Sequence, residues 1–100
     1  MIIRTADGLQ VAGDVTMATV SALFKEGLMY HKENKSNADL LIDFARLEKV
    51  DSSAVSLMLG WLREAKKNKV KVRFINIPEN LMSLAQLYGV AEMFHLQPSE

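Results

Sequence analysis

Residues 38–75 read ADLLIDFARLEKVDSSAVSLMLGWLREAKKNKVKVRFI, and this stretch decides the fold class. Ala38 to Phe44 holds the continuous apolar run Leu40-Leu41-Ile42, the pattern of a strand covered on both faces. Arg46-Leu47-Glu48-Lys49-Val50 leads to Asp51-Ser52-Ser53, and from there the pattern is helical to about Lys67. Val70, Val72 and Phe74 then alternate with Lys71 and Arg73, a strand signal. Strand, helix and strand form a βαβ unit, whose crossover is expected to be right-handed.

Working outward, Ile2, Ile3 and Thr5 suit a strand. Asp7-Gly8 is a two-residue turn signal, and Leu9 and Val11 alternate with Gln10 and Ala12, so the N-terminus reads as a hairpin. A helix is expected from about Thr16 to His31. Met17, Val20, Phe24, Leu28 and His31 lie on one face, with Leu23 and Tyr30 beside them, and Gly27 suggests a close packing contact. Lys32 to Asn37 is a polar loop. On the C-terminal side, Pro78 suits the first turn of a helix running through Leu81, Leu84, Ala85 and Tyr88, and Gly89 suits the residue just past its end. The tail from Val90 to Leu96 is apolar enough to dock. The expected fold is a small α/β domain spanning residues 1–100. Its mixed β-sheet is covered by helices on one or both faces, in the order β-β-α-β-α-β-α plus a C-terminal segment.

Composition narrows the function. Twelve basic and twelve acidic side chains cancel, so no long-range field draws the chain to nucleic acid or to an acidic membrane. The absence of cysteine excludes disulfides, thiolate nucleophiles and thiolate metal sites. The first residues lack a basic segment followed by an apolar one, and no apolar run approaches the roughly 20 residues that span a bilayer. A soluble cytoplasmic protein is the expectation.

In a sheet with parallel strands, sites gather where helix N-termini face the strands' carboxyl ends. Asp51-Ser52-Ser53-Ala54 occupies that place. Asp and Ser are favoured N-caps, so the tetrapeptide is explained by capping alone. It is also a good place for a phosphate, whose added charge of about −1.5 to −2 the helix dipole partly offsets.

Along the helix that follows, apolar residues spread over about 200° of the circumference, twice the roughly 100° that one sheet needs. Val55, Leu59 and Leu62 serve the core, with Met58 at the border. Ala54, Leu57 and Trp61 are left as a second stripe. Two readings stand: neighbouring elements flank the helix on both sides, or the stripe is a partner-binding face anchored by Trp61.

The cations Arg63, Lys66, Lys67, Lys69, Lys71 and Arg73 suit a helix C-terminus and a strand edge, and read as a solvated face. His31 and His95 lack ligand-like spacing. Asp14, Asp43 and Asp51 are the acids that a small enzyme or nucleotide-binding module would use, but no nucleophile, base and oxyanion set accompanies them. No phosphate-loop motif is present. Neither a catalytic activity nor a cofactor or metal is expected.

The run Leu41-Ile42-Asp43-Phe44 through Val50-Asp51-Ser52-Ser53-Ala54-Val55 resembles the signature of STAS domains, named for sulfate transporters and anti-sigma factor antagonists. In that signature a strand leads to Asp-Ser-Ser-Gly and a hydrophobic helix; here Ala54 stands in place of the Gly. Gly13-Asp14-Val15-Thr16 resembles the family's turn before its first helix. Val50-Asp51-Ser52 and Leu84-Ala85-Gln86-Leu87-Tyr88-Gly89-Val90 resemble the MlaB group of the family in particular. MlaB proteins are small cytoplasmic subunits of phospholipid-transporting ABC systems.

The resemblance implies a non-catalytic accessory subunit that binds and supports an ABC transporter ATPase subunit, peripheral to the inner membrane through that complex. The resemblance places docking in the 51–61 region, at Asp51, Ser52 and Ser53; with the second apolar stripe of the helix, the expected partner contacts are Asp51, Ser52, Ser53, Ala54, Leu57, Met58 and Trp61. The alternative it implies is an anti-sigma factor antagonist whose partner is a serine kinase, with Ser53 and Ser52 as phosphorylation candidates. Ala54 in place of Gly weighs against a kinase-docked surface, because close backbone approach often needs Gly.

Overall fold

The structure is a computed structural model that describes residues 1–33 and 39–94, with the side chains of residues 31–33 excepted. Ala38, the side chain of His31, most of the polar loop, His95 and Leu96 lie outside the described residues. Four strands, β1 (Ile2–Arg4), β2 (Gly8–Val15), β3 (Leu40–Val50) and β4 (Val72–Ile75), form one sheet in that spatial order. Helices α1 (Val20–Glu33), α2 (Ser52–Lys67) and α3 (Glu79–Leu87) follow β2, β3 and β4, and a 3₁₀ turn spans Ala91–Phe94. The mixed α/β architecture and the element order are those read from the sequence.

The hairpin forms with Arg4 opposite Leu9, and the Thr5 N–H donates to the Gly8 carbonyl at 3.0 Å. Its two-residue turn is therefore Ala6-Asp7, one position earlier than the expected Asp7-Gly8. Gly8 belongs to the strand instead, opposite Leu41, where a Cβ would collide with the Leu41 backbone.

The strand expected to end near Phe44 continues to Val50. Its polar second half is held by β2, with Ala12 opposite Arg46, Gly13 opposite Leu47 and Val15 opposite Val50. Two register shifts accommodate this pairing, and Gly13 takes a positive φ of 87°. β2–β3 and β3–β4 are both parallel, and each step moves the same way across the sheet. Two crossovers of the usual right hand place α1 and α2 on the same face.

Burial alternates accordingly. Leu9, Val11 and Val15 on β2 and Leu40, Ile42 and Phe44 on β3 are buried, whereas Gln10, Leu41 and Asp43 are only half-buried. β3 is thus covered on one face, not on two as its apolar run suggested.

α1 starts later than expected. Thr16 and Thr19 form its entry turn: the Thr16 N–H donates to Thr19 Oγ1 (3.0 Å), and the Ala18 N–H donates to Thr16 Oγ1 (3.3 Å). Met17, expected on the apolar face, is 81% exposed in that turn. Leu23 and Gly27 form the buried line of α1.

Pro78 immediately precedes α3, and its carbonyl accepts the Met82 N–H at 2.9 Å. Gly89, at φ 71°, closes α3 as expected: the Val90 N–H reaches the Ala85 carbonyl and the Gly89 N–H reaches that of Gln86. Lys69, at φ 58°, closes α2 with the same pair of bonds, from Val70 to Ala65 and from Lys69 to Lys66. The apolar tail docks through buried Phe94. Its ring meets Phe74 edge-on at 5.6 Å, and Phe74 stacks on Phe44 at 5.7 Å.

Candidate functional site

The carboxyl ends of β2 and β3 deliver two turns to one end of the sheet. One is Thr16–Thr19, ahead of α1; the other is the start of α2. Asp51 joins them. Its backbone is extended, its N–H donates to the Val15 carbonyl at 3.2 Å, and its side chain caps α2. Oδ1 accepts the Ser53 N–H at 2.8 Å, while Oδ2 accepts the Met17 N–H at 3.2 Å. The Ser53 N–H holds the carboxyl below its ordinary pKa, helped by the Met17 N–H and the Ser53 hydroxyl, against a smaller opposing effect of desolvation. The cap expected from the sequence is therefore real, and it also anchors the turn before α1.

Ser52 and Ser56 are exposed one turn apart on α2, and Ser53 is half-buried with its hydroxyl on Asp51. Of the two phosphorylation candidates, Ser52 is the one open to solvent. Asp14 sits beside this group, its Oδ1 accepting the Lys49 N–H at 3.1 Å. Asp43 does not join Asp14 and Asp51. It lies roughly 25 Å back along β3, given about 3.3 Å per residue. There its carboxylate accepts from Gln10 Nε2, Asn76 Nδ2 and the Ala45 N–H. Among the described residues no group of three or more His, Cys, Asp or Glu side chains could hold a metal ion.

The stripe of Ala54, Leu57 and Trp61 is not a free face. All three are buried, as is Met58, and Trp61 is 0% exposed. α1 packs on this helix at Trp61 and Gly60: a Cβ on Gly27 would overlap the Trp61 indole, and one on Gly60 would lie 2.7 Å from the Phe24 ring. Trp61 Nε1–H donates to the Phe24 carbonyl at 3.2 Å. The excess of apolar arc on α2 is thus explained by a second helix packed on it, and the reading of Trp61 as an exposed anchor is corrected. Ala54 likewise turns its methyl inward, so its replacement of Gly does not alter the surface. Arg63, Lys66, Lys67, Lys69, Lys71 and Arg73 are all exposed, the solvated face expected of them.

Sequence reasoning missed Met17. Helical spacing assigned it to the core, whereas the Thr16-x-x-Thr19 pattern marks the turn that expels it. Its backbone bond to Asp51 ties its turn to the N-terminal end of α2, where Ser52 is exposed.

A family model described as an MlaB STAS domain matches residues 3–98. The chain belongs to that STAS family. It is similar over 97% of its length, at 25% identity and a TM-score of 0.83, to the MlaB subunit in a structure of the Acinetobacter MlaFEDB complex in an ATP-bound conformation, covering 99% of that subunit. It is also similar, over 92% of its length and 82% of the other chain, to the anti-sigma factor antagonist SpoIIAA in its unphosphorylated form, at 18% identity and a TM-score of 0.70. That second likeness is one of fold. No curated protein sequence matches the chain. No helix among the described residues is long and apolar enough to cross a membrane.

Proposed function

We propose that this STAS domain is a non-catalytic accessory subunit of a phospholipid-transporting ABC system, where it binds and supports the ATPase subunit at the cytoplasmic face of the inner membrane. The observation that carries this reading is the likeness to the MlaB subunit of a transporter complex, which runs nearly end to end in both chains. The docking surface is the N-terminal end of α2, where Ser52 and Ser56 are exposed and Asp51 and Ser53 half-buried. Leu57, Met58 and Trp61 support that surface from beneath. Because they are buried, they act on a partner only by fixing where the α2 N-terminus stands.

The region has the character of a binding surface. Both carboxylate oxygens of Asp51 and one of Asp14 accept backbone N–H groups, which fixes the two turns that present the surface. The test is affinity capture of the tagged chain from its native membranes, with the partners identified by mass spectrometry. Recovery of an ABC ATPase with its permease is expected. Recovery of a serine kinase or a sigma-factor regulator would replace this reading with that of a phosphorylated anti-sigma factor antagonist.

A further inference from the structure

We propose that Met17 is an apolar anchor that inserts into a socket on the protein partner, and that Asp51 is the positioning residue that holds it there. The inference rests on the reading of the α2 N-terminus as the docking surface, and adds a residue from another element to it.

Met17 has the most exposed large apolar side chain among the described residues, at 81%. A single exposed apolar residue is ordinary by itself. What sets Met17 apart is the bracing of its backbone. Its N–H is held by Asp51 Oδ2, while the other oxygen of that carboxylate caps α2. On either side, Thr16 and Thr19 are locked by the Thr16 N–H to Thr19 Oγ1 bond, and Thr19 Oγ1–H reaches back to the Asp14 carbonyl at 2.9 Å. Asp14 is in turn pinned by the Lys49 N–H. The other exposed methionines, at 1, 29 and 93, have no comparable side-chain brace on their backbones among the described hydrogen bonds. An apolar side chain displayed on a fixed backbone meets a partner with the backbone part of its ordering cost already met, and the flexible thioether adapts to an irregular pocket.

The charge around Met17 identifies the occupant. The Asp14 and Asp51 carboxylates flank the turn, and an anionic lipid surface would be repelled by them. A protein socket with an apolar floor and a rim of cations or N–H donors complements both features. Exposed Ser52 on the adjoining helix turn extends the same contact.

The experiment measures the affinity of the purified chain for the ABC ATPase subunit recovered with it, using wild type, Met17→Asp, Met17→Leu and Ser52→Arg. Met17 is solvent-exposed, so its variants are expected to melt with the wild type, and a thermal scan checks this. Met17→Asp should weaken binding by about tenfold or more, and Met17→Leu should stay within about threefold. Wild-type affinity in Met17→Asp alongside lost affinity in Ser52→Arg would overturn the anchor and leave the docking surface standing. Failure of the wild type to bind the ATPase subunit would remove the reading on which the anchor depends, and the anchor with it.

Discussion

Gly27 of α1 lies directly against the indole of Trp61 of α2, with no room for a Cβ between them. The contact is reciprocated one turn away, where Phe24 packs over Gly60. Each helix therefore offers the other a glycine notch and an aromatic side chain to fill it. Trp61 Nε1–H donates to the Phe24 carbonyl, so the indole is fully buried without leaving its one donor unsatisfied.

Gly27→Ala is expected to destabilise the fold despite the better helix propensity of alanine. Propensity favours Ala by about 1 kcal/mol. Overpacking against a fully buried indole costs about 1–3 kcal/mol, because Trp61 has nowhere to move. Gly60→Ala should cost less, since the Phe24 ring is only half-buried and can tilt away. Urea midpoints of the two variants give the order. A Gly27→Ala protein as stable as wild type would show that the α1–α2 spacing is looser than described.

Gly27 also shows how far the sequence could be read. Its helical position is legible as a conflict between propensity and pattern, and that conflict does mark close packing. Which residue it packs against is not legible, because Trp61 is brought to it by two crossovers that set α1 and α2 side by side. The same limit applies to β3. Local pattern ends that strand near Phe44, and only the pairing with Ala12, Gly13 and Val15, 34 or 35 residues upstream on β2, continues it to Val50. The cap at Asp51 needs only neighbours in sequence, and so was readable. Its second bond, to the Met17 N–H, was not.

Trp61→Ala and Leu57→Asp should be folding variants, not binding variants. Removing a fully buried indole costs about 3–5 kcal/mol. A carboxylate at Leu57 would be buried without a charge partner, which is not sustainable in a chain of this size. Circular dichroism melts are expected to show a large loss of stability for the first and no cooperative transition for the second. Native-like melts combined with lost partner binding would return the stripe to the surface.

Lys69 and Gly89 terminate α2 and α3 with the same pair of hydrogen bonds, both in the left-handed region. A residue with a Cβ is disfavoured there by roughly 1–2 kcal/mol. Lys69→Gly should therefore stabilise the protein by about 0.5–1 kcal/mol, after allowing for the extra freedom of glycine in the unfolded chain. Gly89→Ala should destabilise it by a similar amount. The two substitutions need to move the denaturation midpoint in opposite directions; a shared direction would mean that the termini do not follow the backbone geometry.

Asp51 gives the fold an acid-sensitive joint. Its folded pKa lies below the ordinary value of 3.8, chiefly because the Ser53 N–H bonds to the ionised carboxylate. The folded state thus binds this proton more weakly than the unfolded chain does. The stabilisation is fully present above the ordinary value and is lost as pH falls through the lower, folded one. Asp51→Asn keeps an acceptor for the cap but removes the charge. It should be less stable than wild type at about pH 7, with the gap narrowing at about pH 3 and below as the wild-type carboxylate protonates. Urea midpoints for both proteins across that range provide the measurement. The same joint holds the Met17 turn to α2, so the exchange rate of the Met17 amide should rise in Asp51→Asn. A gap that stays constant with pH, or a Met17 amide no less protected than in wild type, would mean that the charge on Asp51 does not hold the two turns together.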